Sequence, residues 1–197
     1  MVDFSRIATA LLLLLVSLEP MFADEVSDTP EKTPGDIVAT AQIHSCTNAE
    51  DRVGTLTMRQ RVSDEGIKLV DVDLELRSDS IEPGKHAVHV HETANCTPCS
   101  AAKGHFDPGP NSNTSPDGNH PFHMGDLPNI VVDENHQGRL LTTTSRITLS
   151  DGPLSIFDSD GSAVIVHVGA DTYCPEGEEA GCAGGARAAC GVIRRVE

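Results

Sequence analysis

The stretch Ile67-Lys68-Leu69-Val70-Asp71-Val72-Asp73-Leu74-Glu75-Leu76 decides the fold class, because its second half alternates between apolar and acidic residues. Successive side chains of a β-strand point to opposite faces, so this period of two places one face in a core and the other in water. The stretch therefore predicts a half-buried strand with one solvated face.

Short segments of the same kind recur along the chain, and clusters such as Pro83-Gly84 and Asp160-Gly161 separate them. No segment has a persuasive helical period, so the pattern indicates an all-β sandwich or barrel. Two long stretches without predicted strands, Glu92–Pro128 and Gly169–Gly185, have a length that usually serves function. The further predicted strands are Ile37–His44, Arg52–Arg61, His86–His91, Thr142–Leu149, Ser162–Val168 and Ala189–Val196.

Three regions are predicted along the chain. Residues 1–23 are a predicted secretory signal peptide. They contain a weak positive charge, an apolar run with five consecutive leucines, and a small residue, Ala23, just before the acidic Asp24. A membrane anchor is the alternative, but the run is short for a bilayer. Residues 24–36, rich in Asp, Glu, Thr and Pro, predict a flexible acidic linker. Residues 37–197 then form one domain, and export places it in the periplasm or outside the cell.

The net charge of −16 limits the partners of the chain. Nucleic acids and anionic membranes require basic surfaces, so neither is an expected partner once the signal is removed. The sequence leaves the oligomeric state open, and a homodimer is one arrangement that it allows.

All six cysteines follow the predicted signal, and an even number in an exported chain favours disulfides. The spacing of Cys96 and Cys99 also suits redox or zinc chemistry. That alternative lacks a second such pair and any βαβ context. The remaining cysteines are Cys46, Cys174, Cys182 and Cys190.

Nine histidines carry the strongest functional signal. His89 and His91 are two residues apart on a predicted strand, so their imidazoles leave the same face and form a ligand pair for copper or zinc. His86 has the opposite parity and is expected to point away. His167 is the only polar residue in the run Ala163-Val164-Ile165-Val166-His167-Val168, where it is either a ligand or a satisfied core histidine.

A second ligand pattern lies in the first long loop. His105 comes first, and then His120, His123 and Asp126 follow at three-residue spacing. Two imidazoles and a carboxylate on a short loop suit zinc, which takes four N, S or O ligands tetrahedrally.

Five ordered motifs resemble those of copper–zinc superoxide dismutases of the exported bacterial type, and the resemblance covers roughly residues 37–193. It implies an eight-stranded antiparallel Greek-key β-barrel, an immunoglobulin-like sandwich with two long functional loops. It also implies an oxidoreductase that converts superoxide to dioxygen and hydrogen peroxide with copper and zinc. The motifs are His86-Ala87-Val88-His89-Val90-His91-Glu92, Gly104-His105-Phe106-Asp107-Pro108, His123-Met124-Gly125-Asp126-Leu127-Pro128-Asn129, Ile165-Val166-His167 and Arg187-Ala188-Ala189-Cys190-Gly191-Val192-Ile193.

The resemblance also assigns the site residues. It implies that copper is bound by His89, His91, His105 and His167. It also implies that His105 is shared with zinc and carries a proton during catalysis. His123 and Asp126 match two further zinc ligands. Asp171 matches an outer carboxylate that joins a copper histidine to a zinc histidine. The other residues assigned are Arg187, which attracts the anion beside copper, and His86, which is structural.

One zinc ligand departs from the family pattern. Residues 109–116, where the family places its middle zinc histidine, contain no histidine. His120 is the candidate, and a copper-only site is the alternative. A non-enzymatic copper-binding or copper-delivery domain is a further alternative, although all four copper histidines and Arg187 are present.

The family joins the first long loop to the last strand by a disulfide. This implies Cys96–Cys190, with Cys99 as the competitor for Cys190. Cys174–Cys182 is expected as a local second bridge, which leaves Cys46 with Cys99.

Overall fold

A computed structural model describes residues 36–109 and 114–197 of the chain. The predicted signal peptide and all but the last residue of the predicted linker lie outside these ranges. Among the described residues, no helix is both long enough and apolar enough to cross a membrane. The strands are β1 (Ile37–Ser45), β2 (Arg52–Val62), β3 (Lys68–Arg77), β4 (Gly84–His91), β5 (Asp126–Val132), β6 (Gln137–Thr144), β7 (Ala163–His167), β8 (Arg187–Val192) and β9 (Arg194–Arg195).

The strands close into an antiparallel barrel. Neighbours follow the order β2-β3-β6-β5-β4-β7-β8-β1, and β1 also pairs with β2. The two-residue β9 pairs with β1 after a break at Ile193, so it continues the last strand of an eight-stranded barrel. This confirms the predicted all-β, eight-stranded antiparallel fold. The Greek-key order brings β4 beside β7, which are distant in sequence.

One apolar core fills the barrel, and β3 shows how the sequence builds it. Val70, Val72, Leu74 and Leu76 are buried, while the acidic residues between them face outward. Burial of a large aliphatic side chain contributes about 1.5–3 kcal/mol, so the alternating pattern fixes the orientation of this strand.

Two predictions about strands are wrong. The strand predicted at 142–149 is β6, which spans Gln137–Thr144. Ile147 and Leu149 are buried like strand residues, but they lie in a loop, where Gln60 Oε1 accepts hydrogen bonds from the backbone N–H groups of Leu149 and Ser150. β5 was not predicted, and it begins inside the stretch 92–128 that was expected to lack strands.

The other strand boundaries differ less. β8 starts at Arg187, two residues before the predicted start, and the final strand breaks at Ile193, whose N–H donates to the carbonyl of Ser162. The first long loop also contains one short 3-10 helix, Cys99–Ala102.

Candidate metal centre

Four histidines converge at one side of the barrel. His89 and His91 are buried on β4, and β4 pairs with β7, at whose end His167 lies. One potential ligand atom from each of these three residues and from His105 lies within 4.8 Å of the others. We call His89, His91, His105 and His167 the four-histidine group.

The hydrogen bonds of this group leave nitrogens pointing inward. His89 Nδ1 lies 3.1 Å from His167 Nε2, and the Nε2 atoms of His91 and His105 are buried without a partner. Buried polar atoms are rarely left unpaired, so this set fits a bound cation. The outer ring nitrogens have partners: His89 Nε2 with Asp171 Oδ2 at 3.3 Å, His91 Nδ1 with the Lys103 carbonyl at 3.0 Å, and His167 Nδ1 with the Gly185 carbonyl at 2.9 Å.

Burial sets the protonation of these rings. It lowers the pKa of His89 to about 3 and the pKa of His167 to about 4, and it lowers the pKa of His91 well below its usual value. A buried imidazolium loses hydration, so the neutral form prevails at pH 7. Neutral imidazole is the form that binds a metal, and this group needs no deprotonation of these three residues first.

His105 lies between two groups of ligands. Its ring centroid is 4.1 Å from that of His89 and 4.9 Å from that of His123. Its Nδ1 lies 2.8 Å from Asp126 Oδ1, while Nε2 is unpaired. The loop that carries it is fixed to β4, because the N–H of Phe106 donates to the carbonyl of Val90. One imidazole can therefore serve two cations.

The second group forms around the carboxylate of Asp126, at the start of β5. His120 Nδ1 and His123 Nδ1 each lie 3.2 Å from Asp126 Oδ2, and all three residues are buried. The His120 contact lacks hydrogen-bond geometry, so this Nδ1 is an unpaired buried atom. Three imidazoles and one carboxylate are a donor set that zinc accepts. We call His105, His120, His123 and Asp126 the mixed group.

Acidic neighbours reverse the protonation of His120. Burial favours the neutral ring, but the nearby carboxylates of Asp126 and Asp171, the second of which is hydrogen-bonded to Nε2, outweigh burial and raise the pKa of His120 to about 9. The Asp126 carboxyl is destabilised by burial, yet its three histidine partners hold its pKa far below the usual range. A charged His120 must lose its proton before Nδ1 and Nε2 can serve metal and carboxylate together.

Asp171 joins the two groups. Its Oδ2 lies 3.3 Å from His89 Nε2 and 2.7 Å from His120 Nε2. Burial raises the pKa of this carboxyl, but hydrogen bonds from His120 and His89 outweigh burial and hold its pKa well below the usual range. Sequence reasoning missed the residue that positions Asp171: Asn129 Oδ1 accepts from the Asp171 N–H at 2.8 Å, and Asn129 Nδ2 donates to its carbonyl.

Arg187 lies at the start of β8, opposite His167 in the ladder. Its guanidinium is half-buried and donates to the backbone carbonyls of Cys99 and Lys103. The ion pairs found within residues 36–109 and 114–197 do not include it. Its charge contributes to the lowered pKa of His91 and His167, so it acts electrostatically on the four-histidine group.

Two residues next to the site, Lys103 and Gly184, could not be recognised from the sequence as part of it. The Lys103 carbonyl accepts from Arg187 and lies against His91 Nδ1, and any residue type offers that oxygen. Gly184 has φ +94°, and a Cβ there would lie 2.8 Å from the Cβ of His167. Only glycine fits such a backbone conformation and approach without strain. His86 lies outside both groups, with its ring nitrogens near the carbonyls of His167 and Glu82.

All six cysteines form disulfides: Cys96–Cys190, Cys174–Cys182 and Cys46–Cys99. Cys96–Cys190 links the first long loop to β8, and Cys174–Cys182 closes a turn within the second long loop. Asp117 lies close to the sulfurs of Cys174 and Cys182, but oxidised sulfurs are not thiolate ligands, so these three residues are not a metal site in this state.

Comparison with known proteins extends these observations. The model of the copper/zinc superoxide dismutase family (SODC) matches residues 52–193. A SOD-like protein from Bacillus subtilis superposes with a TM-score of 0.56 and 26% identity, covering 77% of this chain and 95% of that one. The clock protein EA4 gives a TM-score of 0.56 at 30% identity, covering 79% and 92%.

Two bacterial relatives are named as Cu-Zn superoxide dismutases. The Deinococcus radiodurans protein is 37% identical over 130 residues, which is 59% of this chain and 66% of the relative. The Legionella pneumophila protein is 38% identical over 117 residues, or 58% and 65%. The chain thus spans just under two thirds of these relatives. With most of its length matched by the family model, the chain belongs to the copper/zinc superoxide dismutase family, whose metals are copper and zinc.

Proposed function

We propose that the chain is a superoxide dismutase, an oxidoreductase that converts two superoxide anions and two protons into dioxygen and hydrogen peroxide. The observation that carries this proposal is the position of His105, with one ring nitrogen toward the four-histidine group and the other on Asp126. A shared imidazole of this kind serves two adjacent cation sites. A protein that binds a single metal ion has no use for a second site beside the first.

We assign copper to the four-histidine group and zinc to the mixed group. Bound copper supplies one-electron redox chemistry that can oxidise one superoxide and reduce the next, whereas zinc has no redox chemistry. The chain's own residues supply orientation and protons. With Nδ1 of His105 directed at the mixed group, Nε2 is the atom that can take up a proton and deliver it to the reduced product.

Arg187 is the residue that we assign to anion binding. Its guanidinium is held by two carbonyls, so its charge is not neutralised by a carboxylate in the contacts described above. A fixed positive charge beside the four-histidine group attracts a small anion at short range, even though the whole chain carries −16.

His120 is what distinguishes this proposal from a copper-only enzyme. Its unpaired Nδ1 near Asp126 and its Nε2 on Asp171 support a role as the missing zinc ligand. Such an outer carboxylate is the usual support for a metal-binding histidine.

The test is to count copper and zinc per chain in purified protein and to follow superoxide decay. We expect one of each metal and a rate far above that in buffer. His167→Ala removes one copper ligand, and its rate is expected to fall to that of free buffer while the barrel stays folded by circular dichroism. Full activity in this variant would contradict the copper assignment.

We further propose that the protein is exported, with residues 1–23 as the signal. The support is sequence pattern, since these residues lie outside the described ranges. Amino-terminal sequencing of protein from the periplasm or medium is expected to begin at Asp24, whereas a start at Met1 would contradict cleavage.

A further inference from the structure

We infer that Asp117 is a positioning residue for the zinc site and acts through the loop that carries Asp171. This inference rests on the zinc assignment made above. Asp117 is three residues before His120 in the first long loop, and it is partly buried. Its carboxylate does not touch any of the four proposed zinc ligands in the contacts described, so its effect is indirect.

The carboxylate of Asp117 bridges the two long loops. Its Oδ2 accepts a hydrogen bond from the N–H of Gly181 at 2.9 Å, and its Oδ1 accepts one from the N–H of Ala183 at 3.2 Å. Two backbone amides on one ionised carboxylate make charge-assisted bonds, which are stronger than neutral ones. The segment 181–183 is therefore tied to the loop of His120.

The tied segment in turn holds Asp171. Ala183 and Asp171 form an antiparallel bridge, and the carbonyl of Cys182 accepts hydrogen bonds from the N–H and the hydroxyl of Thr172. Asp171 Oδ2 then reaches His120 Nε2 at 2.7 Å. These contacts form a closed circuit. It runs from Asp117 to Ala183, then to Asp171 and then to His120, which is three residues after Asp117 in the chain.

This chain of contacts explains how His120 can be held in place as a zinc ligand, although it lies later in the loop than the middle zinc histidine of the family. His120 lies in a loop, and the hydrogen bond of its ring is the one between Nε2 and Asp171. Its orientation depends on Asp171, and the position of Asp171 depends on Asn129 and on the segment that Asp117 ties. The Cys174–Cys182 disulfide closes the same loop but does not connect it to His120. Asp117 supplies that connection.

The four-histidine group has less need of Asp117. His89, His91 and His167 lie on paired strands, and their positions follow from the ladder of β4 and β7. Loss of the Asp117 bonds is therefore expected to weaken metal binding at the zinc site and to leave the copper site nearly unchanged.

The experiment compares Asp117→Asn with Asp51→Asn in the full chain, using Co²⁺ as a spectroscopic probe of the zinc site and Cu²⁺ for the copper site. Asn keeps the shape of Asp but offers one oxygen to two amides. Asp51 is a matched control, because its carboxylate also accepts two hydrogen bonds, and these come from Ser78 and Ser80 rather than from either long loop. Supporting residues of metal ligands typically change affinity 10–100-fold, so we expect about a tenfold loss of Co²⁺ affinity in Asp117→Asn.

Three readouts decide the inference. The inference is supported if Asp117→Asn binds Co²⁺ with lower affinity and an altered visible spectrum, while its Cu²⁺ affinity stays within about twofold of that of the unsubstituted protein. Asp51→Asn should show no change in either metal. A double variant of Asp117→Asn and Asp171→Asn is expected to bind Co²⁺ no more weakly than Asp171→Asn alone, because both act on one circuit. Native Co²⁺ binding in Asp117→Asn, or additive losses in the double variant, would overturn it.

The same experiment separates this inference from the proposed function. Absence of superoxide activity in the unsubstituted, copper-loaded protein counts against the dismutase proposal, but the Co²⁺ pattern above would still support Asp117. Absence of Co²⁺ binding in the unsubstituted protein overturns the zinc assignment and the Asp117 inference together.

Discussion

The four-histidine group and the mixed group share His105 but are built in different ways. Three rings of the first group lie on β4 and β7, where the ladder sets their spacing. In the mixed group, His120 and His123 lie in a loop, and Asp126 is the first residue of β5. The comparison teaches that strand register sets the spacing of ligands before any outer hydrogen bond forms, whereas the placement of loop ligands depends on outer hydrogen bonds such as those of Asp171.

The two groups also differ in charge state. Burial dominates in the four-histidine group and keeps His89 and His167 neutral, with pKa values of about 3 and about 4. Two carboxylates dominate at His120 and raise its pKa to about 9.

The largest effect is expected from His120→Ala. Loss of a direct ligand should exceed the 10–100-fold loss typical of outer partners, so zinc affinity is expected to fall by at least about a hundredfold. Copper content should remain near that of the unsubstituted protein, because the strand histidines are untouched. Metal analysis after dialysis measures both, with His44→Ala as a histidine control outside the site.

Unchanged zinc content in His120→Ala would show that His120 is an ordinary loop residue. Absence of zinc from the unsubstituted protein would favour a copper-only enzyme and remove the difference between the two groups.

A second effect is the dependence of metal affinity on pH. Because His120 binds a proton in the metal-free protein below about pH 9, zinc binding releases that proton. Zinc affinity is therefore expected to rise about tenfold per pH unit from pH 7 to about pH 9 and then level off. His89 and His167 release no proton in this range, so they give copper affinity no such slope.

Competition titrations with a chelator at several pH values measure both slopes. The stability of the metal-free protein is expected to depend on the same proton. A raised histidine pKa stabilises the folded state fully below the unfolded pKa of about 6.5, and this stabilisation is lost as the pH rises through about 9. Equal slopes for the two metals would contradict the contrast in charge state.

The smallest effect concerns the approach of the anion. Arg187→Glu reverses the charge beside the four-histidine group and is expected to lower kcat/KM at least about tenfold, while Arg187→Lys keeps the charge and costs less. Copper and zinc contents should not change. Because the chain carries −16, salt should screen a net repulsion, so the native rate is expected to stay flat or rise slightly as ionic strength increases.

Rates measured from low to physiological salt test this directly. A steep fall in the native protein would mean that the acidic residues lie away from the approach path. An Arg187→Glu protein with native activity and intact copper would remove the arginine from the mechanism.

Sequence patterns succeeded where the period of the side chains matched the burial. The alternation in β3 correctly predicted which of its residues are buried. The spacing of His89 and His91 predicted that both side chains leave the same face of β4. They failed at β5 and β6. Pro128 and a ligand motif occupy the start of β5, and β6 opens with Gln137, Gly138 and Arg139, which resemble a loop in composition.

By itself, the sequence determined the all-β class and the shared face of His89 and His91, because these depend on composition and on local period. Only the tertiary structure decided that His105 faces both groups and that His120 meets Asp171, because these contacts join residues up to 51 positions apart. The loop of His120 has no period of its own, so its path is fixed by hydrogen bonds to other elements. Those bonds exist only once the barrel has brought the two long loops together.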